Sequence, residues 1–271
     1  MKQIRAVIAG VAGKMGSRIL GALRAEEDFA VVGAFERPES PQVGRDAGLL
    51  SGSGPLEVTI SGSIQGALQK KADVVIDFTV PAASLHNASV CAERGVALVV
   101  GTTGFSAQAK AELAGHAGRI PLLVAPNMSV GVNVLFRLVA DAARALGPDY
   151  EVEIAEMHHR AKPDAPSGTA LRLAEVAADA LGLDAQSASV YSRQGDIGAR
   201  QPGTIGVQSL RGGDVVGEHT VWFLADGERL ELIHRASSRE NFARGAVRAA
   251  RWLVGQKPGL YDMQDVLGLR R

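Results

Sequence analysis

IRAVIAGVAGKMG, residues 4–16, runs from a short apolar segment into three glycines, Gly10, Gly13 and Gly16. An apolar run that ends in glycine has the pattern of a buried strand covered on both faces. KMGSRILGALRAEE continues it with Met15, Ile19, Leu20 and Leu23 at helical spacing, and FAVVGAFE supplies a second apolar run. Strand, helix and strand in that order form a βαβ unit, because parallel partners need a crossover connection. The pattern recurs in ADVVIDFT, a helix over about Pro81–Arg94, VALVVGTTG, a helix over about Ser106–Gly115, and IPLLVAPN. The expected fold class is α/β, with a Rossmann-type parallel sheet covered by helices.

Beyond GVNVLFRLVADAARALG, which reads as a helix, the texture changes. YEVEIAEMHH alternates as a strand with one exposed face, so a second domain begins there. Thr204–Ala236 also alternates and is broken by GGD and ADG, which predicts antiparallel strands joined by hairpins. This half is expected to be an α+β domain with a mixed sheet. RENFARGAVRAARWLVG reads as a final helix, with Phe242, Ala246 and Ala249 or Ala250 on one stripe, packing back against the first domain.

Twenty-nine Lys and Arg balance twenty-nine Asp and Glu. With no net field to attract nucleic acid or an anionic membrane, neither is an expected partner, and any anion site must be local. Cys91 is the only cysteine, which excludes an internal disulfide and thiolate metal clusters and fits a reducing, cytoplasmic setting. No apolar stretch has the length of a signal peptide or membrane span, and the chain is read as mature from Met1.

Glycines between a strand and a helix permit a tight turn and let a pyrophosphate approach backbone N–H groups at the helix's positive end. Gly10, Val11, Ala12, Gly13, Lys14 and Met15 are therefore candidate dinucleotide contacts. Glu36 ends the second strand, twenty residues past Gly16, where a carboxylate accepts hydrogen bonds from ribose hydroxyls. A plain strand-to-helix turn also uses glycines, but strand, spacing, helix and acid agree on the nucleotide reading. Arg37 follows directly and suits the 2′-phosphate of NADP, which Glu36 repels. The expectation is NADH or NADPH, with the preference open. GTTGF, with Gly101, Thr102 and Thr103, and APNMSVGVN, with Ala125, Pro126, Asn127 and Met128, each follow a strand at the sheet's carboxyl edge. Such loops offer backbone contacts to a nicotinamide; either taken alone is equally a simple turn.

EMHHRAKPDAPSGTA, residues 156–170, is the densest polar stretch. DAPSGTALRLAEVAADALG reads as a helix entered through Pro166 and Ser167, with Gly168 and Thr169 in its first turn. First-turn N–H groups attract anions, Lys162 adds a positive charge, and His158 and His159 donate hydrogen bonds or carry charge near neutral pH. The stretch suits carboxylates. In a regular strand the two histidines point to opposite faces, so both serve one site only where the strand ends or twists. Pro163 and Pro166 favour such an irregular loop. A structural reading competes: Ser167 as a helix cap, Lys162 solvated, the histidines half-buried. A metal site from His158, His159 and Asp164 is disfavoured, because adjacent strand histidines do not converge easily on one ion. No metal is expected.

These motifs, in this order, resemble the dihydrodipicolinate reductase family over essentially the whole chain. EMHHRAKPDAPSGT matches the family's E-x-H-H-x-x-K-x-D-A-P-S-G-T signature, and GVAGKMG, IDFT, GTTGF, NMSVGVN, PGTIG, GEHT and ASSR resemble further family stretches. Met128 stands where some members carry an aromatic residue. The resemblance implies reduction of a small cyclic unsaturated dicarboxylate to tetrahydrodipicolinate in the diaminopimelate route to lysine. A nicotinamide supplies the hydride, and a proton is added at the neighbouring carbon. It implies His158 as proton donor, Lys162 as positive charge and a participant in proton transfer, and His159, Lys162, Ser167, Gly168 and Thr169 as substrate contacts. Arg239 is a further carboxylate partner or hinge contact by the same resemblance. It also implies a dinucleotide domain over 1–130 and 240–271, a substrate and tetramerisation domain over 131–239, closure about hinges near 130 and 239, and a homotetramer. Two readings compete: another nicotinamide enzyme, such as an amino-acid or semialdehyde dehydrogenase, and a non-catalytic redox sensor. Cys91 lies in a predicted helix, which makes a thioester-forming semialdehyde dehydrogenase a poor fit. An amino-acid dehydrogenase would show ammonia-dependent turnover. A non-catalytic dinucleotide sensor would bind NADH without consuming it.

Overall fold

A computed structural model describes residues 3–52 and 54–270 of the chain. In chain order the elements are β1 (Ile4–Ala9), α1 (Gly16–Arg24), β2 (Phe29–Phe35), β3 (Ile60–Ser61), α2 (Ile64–Ala67), β4 (Val74–Asp77), α3 (Pro81–Arg94) and β5 (Ala97–Val100). There follow α4 (Ala107–Gly115), β6 (Pro121–Val124), α5 (Val130–Leu146), β7 (Glu151–His158), α6 (Gly168–Leu181), α7 (Ala185–Ala188) and β8 (Ser189–Val190). The chain closes with β9 (Ile205–Arg211), β10 (Gly217–Ala225), β11 (Glu228–Ala236), α8 (Glu240–Leu253), β12 (Gly259–Tyr261) and α9 (Met263–Val266). They form two compact units, Met1–Val130 with Glu240–Arg271, and Gly131–Arg239.

The first unit holds a seven-stranded sheet in the order β12-β6-β5-β4-β1-β2-β3, parallel throughout. Every residue of β4 and β5 is buried, as apolar runs covered on both faces must be. Alternate residues of β1 feed two cores. Ala6 and Ile8 pack with Ile19, Leu20 and Leu23 of α1 and with α8, while Val7 and Ala9 pack with Ala88, Cys91 and Leu113 of α3 and α4. The two halves of the sheet wind in opposite directions from β1 and β4, which places the topological switch between those strands.

On α8 the buried side chains are Ala243, Ala246, Val247, Ala249, Ala250 and Leu253, so Ala246, Ala249 and Ala250 are buried as expected and Phe242 is only half-buried. Ala243, not Phe242, begins that face. Small side chains set it, because the helix packs closely: a Cβ on Gly245 would lie 1.9 Å from the carbonyl oxygen of Met128.

The second unit carries a mixed five-stranded sheet in the order β11-β10-β7-β9-β8. One face packs on α5 and α6, joining Val152, Ile154, Val207, Val221 and Phe223 to Leu135, Val139, Leu173 and Ala177. The ADG segment does turn a hairpin between β10 and β11, which pair antiparallel. The GGD segment does not. β7 lies between β9 and β10, parallel to the first and antiparallel to the second. The connection instead crosses the end of β7, where Gly212 N–H donates to His158 O, His159 N–H to Val215 O and Arg160 N–H to Gly213 O. Its glycines therefore hold the chain just after β7 rather than closing a two-stranded turn.

Candidate active site

In the first unit the segments singled out from sequence gather at the carboxyl ends of β1, β2, β4, β5 and β6. Gly10 has φ +63°, a left-handed conformation that a side chain would strain. A Cβ on Gly16 would lie 2.0 Å from Gly10 O and 2.8 Å from Val11 Cα. Glycine at both positions lets the turn close beneath the start of α1, which is the shape a pyrophosphate requires. Ala12, Gly13 and Lys14 are exposed on this turn, Met15 is half-buried and Val11 is buried. A cavity of about 690 Å³ opens beside it, lined among others by Gly10, Ala12, Gly13, Glu36, Arg37 and Thr79. The Glu36 carboxylate accepts a 2.8 Å hydrogen bond from Ala12 N–H, and Arg37 is exposed. The residues present fit a dinucleotide.

A buried polar cluster shapes the next two loops. Asp77, at the end of β4, accepts from Thr79 N–H at 3.0 Å, from Thr79 Oγ1 at 2.6 Å and from Asn87 Nδ2 at 2.9 Å. Thr102 Oγ1 accepts from Thr79 N–H at 2.9 Å and from Ser84 Oγ at 2.8 Å. Thr102 is therefore committed inward, and Thr103 is the exposed threonine. Gly101 passes over the Phe78 ring, where a Cβ would lie 2.2 Å from ring carbons. After β6, Asn127 Oδ1 accepts from Ser129 N–H at 2.9 Å, Pro126 is exposed and Ala125 is buried. Met128 is 1% exposed and belongs to the core, its carbonyl oxygen packed against Gly245 of α8.

In the second unit β7 ends at His158, and the following loop returns to the start of α6. Alternation places Glu156 and His158 on one face of the strand. His158 Nδ1 lies 2.5 Å from Glu156 Oε2. Arg211, ending β9, grips the same carboxylate with Nη1 to Oε2 and Nη2 to Oε1, each at 2.8 Å. Ser167 N–H donates to Glu156 Oε1 at 3.0 Å. Ser167 caps α6, its Oγ accepting from Ala170 N–H at 3.2 Å and lying 3.2 Å from Nε2 of the buried His219. Ser167 thus has its polar atoms engaged inside the unit, while Gly168 is exposed and Thr169 half-buried.

His159, the residue after β7, has its Nε2 3.3 Å from Arg239 Nη2. Lys162 Nζ donates to both carboxylate oxygens of Asp164 at 2.8 Å. The three side chains weighed as metal ligands therefore have three different partners, Glu156, Arg239 and Lys162.

Burial alone would raise the Glu156 carboxyl, but hydrogen bonds from Arg211, His158, Ser209 and Ser167 bring it down to about 2. It is an anion at any working pH. Burial pushes His158 below the ordinary histidine value; Glu156 opposes this, and the charges of Lys162 and Arg211 reinforce it. Burial, aided by the nearby His158, drives His219 down to about 3, so its ring is neutral. The two rings meet edge to face, with centroids 5.3 Å apart.

Sequence reasoning assigned no role to Glu156, Arg211 or His219. The i, i+2 relation of Glu156 to His158 on an alternating strand was a usable signal. For Arg211 there was none, since its contact depends on the pairing of β7 with β9.

A doubly wound parallel sheet with this glycine turn and acid-ended β2, joined to a second unit that collects histidines and cations at a helix start, defines a nicotinamide-dinucleotide oxidoreductase. The chain belongs to the dihydrodipicolinate reductase family: the family's N-terminal model matches residues 4–128 and its C-terminal model residues 131–267. It is 57% identical over 266 residues to a 4-hydroxy-tetrahydrodipicolinate reductase of Anaeromyxobacter dehalogenans, covering 98% of each chain. It is 56% identical over 269 residues to the Myxococcus xanthus enzyme of that name, covering 99% of each. In fold it is similar to a dipicolinate-bound dihydrodipicolinate reductase from Paenisporosarcina sp. TG-14, with TM-score 0.76 and 24% identity over 97% of this chain and 98% of that one. It also shares its fold with GenD2 of gentamicin A biosynthesis, solved with NAD, at TM-score 0.64 and 14% identity, over 99% of this chain and 91% of that one.

Proposed function

We propose that the chain reduces 4-hydroxy-tetrahydrodipicolinate to tetrahydrodipicolinate, consuming one NADH or NADPH and one proton and releasing water, in the diaminopimelate route to lysine. The observation that carries this reading is the family match across both units, residues 4–128 and 131–267.

The bound nicotinamide supplies the hydride. The Gly10–Met15 turn would hold the pyrophosphate, Glu36 and Arg37 the adenosine ribose and any phosphate on it, and the Gly101–Thr103 and Ala125–Met128 loops the nicotinamide end. Thr103 and Pro126, exposed at those loops, support this assignment. In the second unit, His158 delivers the proton from its imidazolium form to the carbon next to the one that takes the hydride. Lys162 and His159 balance the substrate's negative charge, and Gly168 and Thr169 receive a carboxylate at the start of α6. Lys162 must then share its ammonium between Asp164 and the substrate. The 2.8 Å pair with Asp164 keeps that ammonium in one place until the dicarboxylate arrives.

Assembly as a homotetramer through the mixed sheet belongs to the same reading. It is supported by the sheet face turned away from α5 and α6, where Leu210 of β9 and Ile233 of β11 are 45% and 47% exposed. Sedimentation velocity reads it directly: four times the 28.3 kDa chain mass agrees, and a monomer refutes it.

The activity is tested by following NADH and NADPH loss separately with the fresh condensation product of pyruvate and aspartate semialdehyde. Wild type should oxidise at least one cofactor rapidly. His158→Gln should lose about 100-fold or more while still binding cofactor, the order expected for removing a general acid. Tight dinucleotide binding without oxidation would instead favour a sensor or a different substrate.

A further inference from the structure

Resting on the reductase reading, we propose that Glu156, clamped by Arg211, is a positioning residue. Its carboxylate takes the Nδ1–H of His158 and leaves Nε2 as the nitrogen that carries the transferable proton.

The geometry is that of an oriented acid. Glu156 has a fully buried side chain and receives hydrogen bonds from His158, from both terminal nitrogens of Arg211 and from Ser167 N–H. Arg211 is itself anchored, donating from Nη2 to Asp164 O at 2.6 Å and from Nη1 to Leu210 O at 2.7 Å. The carboxylate therefore has little freedom to turn, and a buried carboxylate with so many donors stays ionised. Only one ring nitrogen of His158 faces it. A neutral imidazole has a single N–H, and an adjacent anion selects the tautomer that donates to it.

The groups facing His158 are Glu156 on its own strand, Lys162 in the following loop, Arg211 from β9 and His219 from β10; His234 of β11 lies beyond His219. Two cations and burial disfavour the imidazolium, and the Glu156 carboxylate in contact with the ring supports it. Room for the ring comes from Gly217 on β10, where a Cβ would lie 2.9 Å from Nε2.

In the chemical step the Nε2–H bond of the imidazolium breaks and its electron pair stays on nitrogen. Loss of the 4-hydroxyl as water leaves a C=C bond conjugated to the ring C=N; hydride addition turns this into an enamine, whose C=C electron pair forms the C–H bond at the carbon beside the one that takes the hydride. The remaining neutral ring keeps its hydrogen on Nδ1, so the contact with Glu156 persists through the step and the ring need not turn over before reprotonation.

Two measurements test this. In wild type labelled with 15N-histidine, with the His158 resonances assigned by their loss in His158→Gln, the neutral ring should carry its hydrogen on Nδ1. A ring protonated on Nε2 overturns the proposal whatever the turnover. In Glu156→Gln, the carboxylate is lost but the shape is kept. Its kcat/KM near neutrality should fall at least about tenfold with NADH binding retained, the order for impairing a general acid. The alkaline limb of its kcat/KM profile should move to lower pH, because the imidazolium has lost its counter-charge. Lower activity with an unmoved limb would make Glu156 merely structural. Should the variant fail to fold, the tautomer measurement decides alone. Failure of wild type to oxidise NADH or NADPH sinks the reductase reading separately.

Discussion

The carboxylate of Glu36 accepts a 2.8 Å hydrogen bond from the backbone N–H of Ala12, tying the end of β2 to the glycine turn after β1. An anion is thus held at the rim of the cavity in which Arg37, a cation one residue on, is also exposed. Glu36→Gln should raise the NADPH/NADH ratio of kcat/KM by about tenfold, equivalent to about 1.4 kcal/mol, by removing the charge that repels a 2′-phosphate. Arg37→Gln should lower that ratio. Steady-state kinetics with both cofactors check the pair, and an unchanged ratio in both variants would place cofactor choice elsewhere.

Gly16→Ala should destabilise the protein by about 1–3 kcal/mol and weaken NADH binding, because its Cβ would sit 2.0 Å from Gly10 O and the turn must move. Gly21→Ala, in the same helix with nothing within 4 Å of the added Cβ, should stabilise by up to about 1 kcal/mol. Thermal unfolding with and without NADH separates the two. Equal effects from both substitutions would contradict the close approach at Gly16.

Cys91 is buried against the sheet, and burial with the nearby Asp77 charge pushes its thiol far above the ordinary range. The native protein should not react with a thiol reagent at pH 8, and should give one equivalent per chain once denatured. Rapid reaction in the native state would show that α3 opens readily.

His219 makes stability depend on pH. Its folded-state pKa lies near 3 against an ordinary 6.5, so between those values the unfolded chain binds a proton that the folded chain does not. Stability therefore rises with pH across that window, and on acidification from 6.5 a contribution on the order of a few kcal/mol is lost. Glu156, depressed from 4.5 to about 2, contributes stability that is present above 4.5 and lost as pH falls through about 2. His219→Gln should flatten the Tm profile between pH 7 and pH 4. An equally steep profile would assign the dependence to other groups.

Much of the first unit was legible because its signals are local. Each apolar run of four to six residues carries its own evidence of burial, and a glycine turn between strand and helix is read without reference to the rest of the chain. Glu36 came from position alone, and it does end β2 beside the cavity. The β9–β10 hairpin misled because turn chemistry at GGD says only that the chain bends. It does not say that another strand, β7, lies between the two arms. On α8 only Phe242 departed from the expected face, because close packing favoured alanine over the larger ring.

The sequence by itself determined the βαβ alternation of the first unit, the glycine turn between β1 and α1 and the crowding of polar groups at residues 156–170, all from contacts within a few residues of chain. Only the tertiary structure decided what those polar groups face. Glu156 meets Arg211, 55 residues away, because β7 and β9 pair in one register, and His219 reaches Ser167 because β10 pairs with the other edge of β7. Strand order and register arise from long-range burial of one sheet face, and a shift of a single residue would turn Glu156 and His158 together away from Arg211 and His219. Spacing along the chain does not encode that choice.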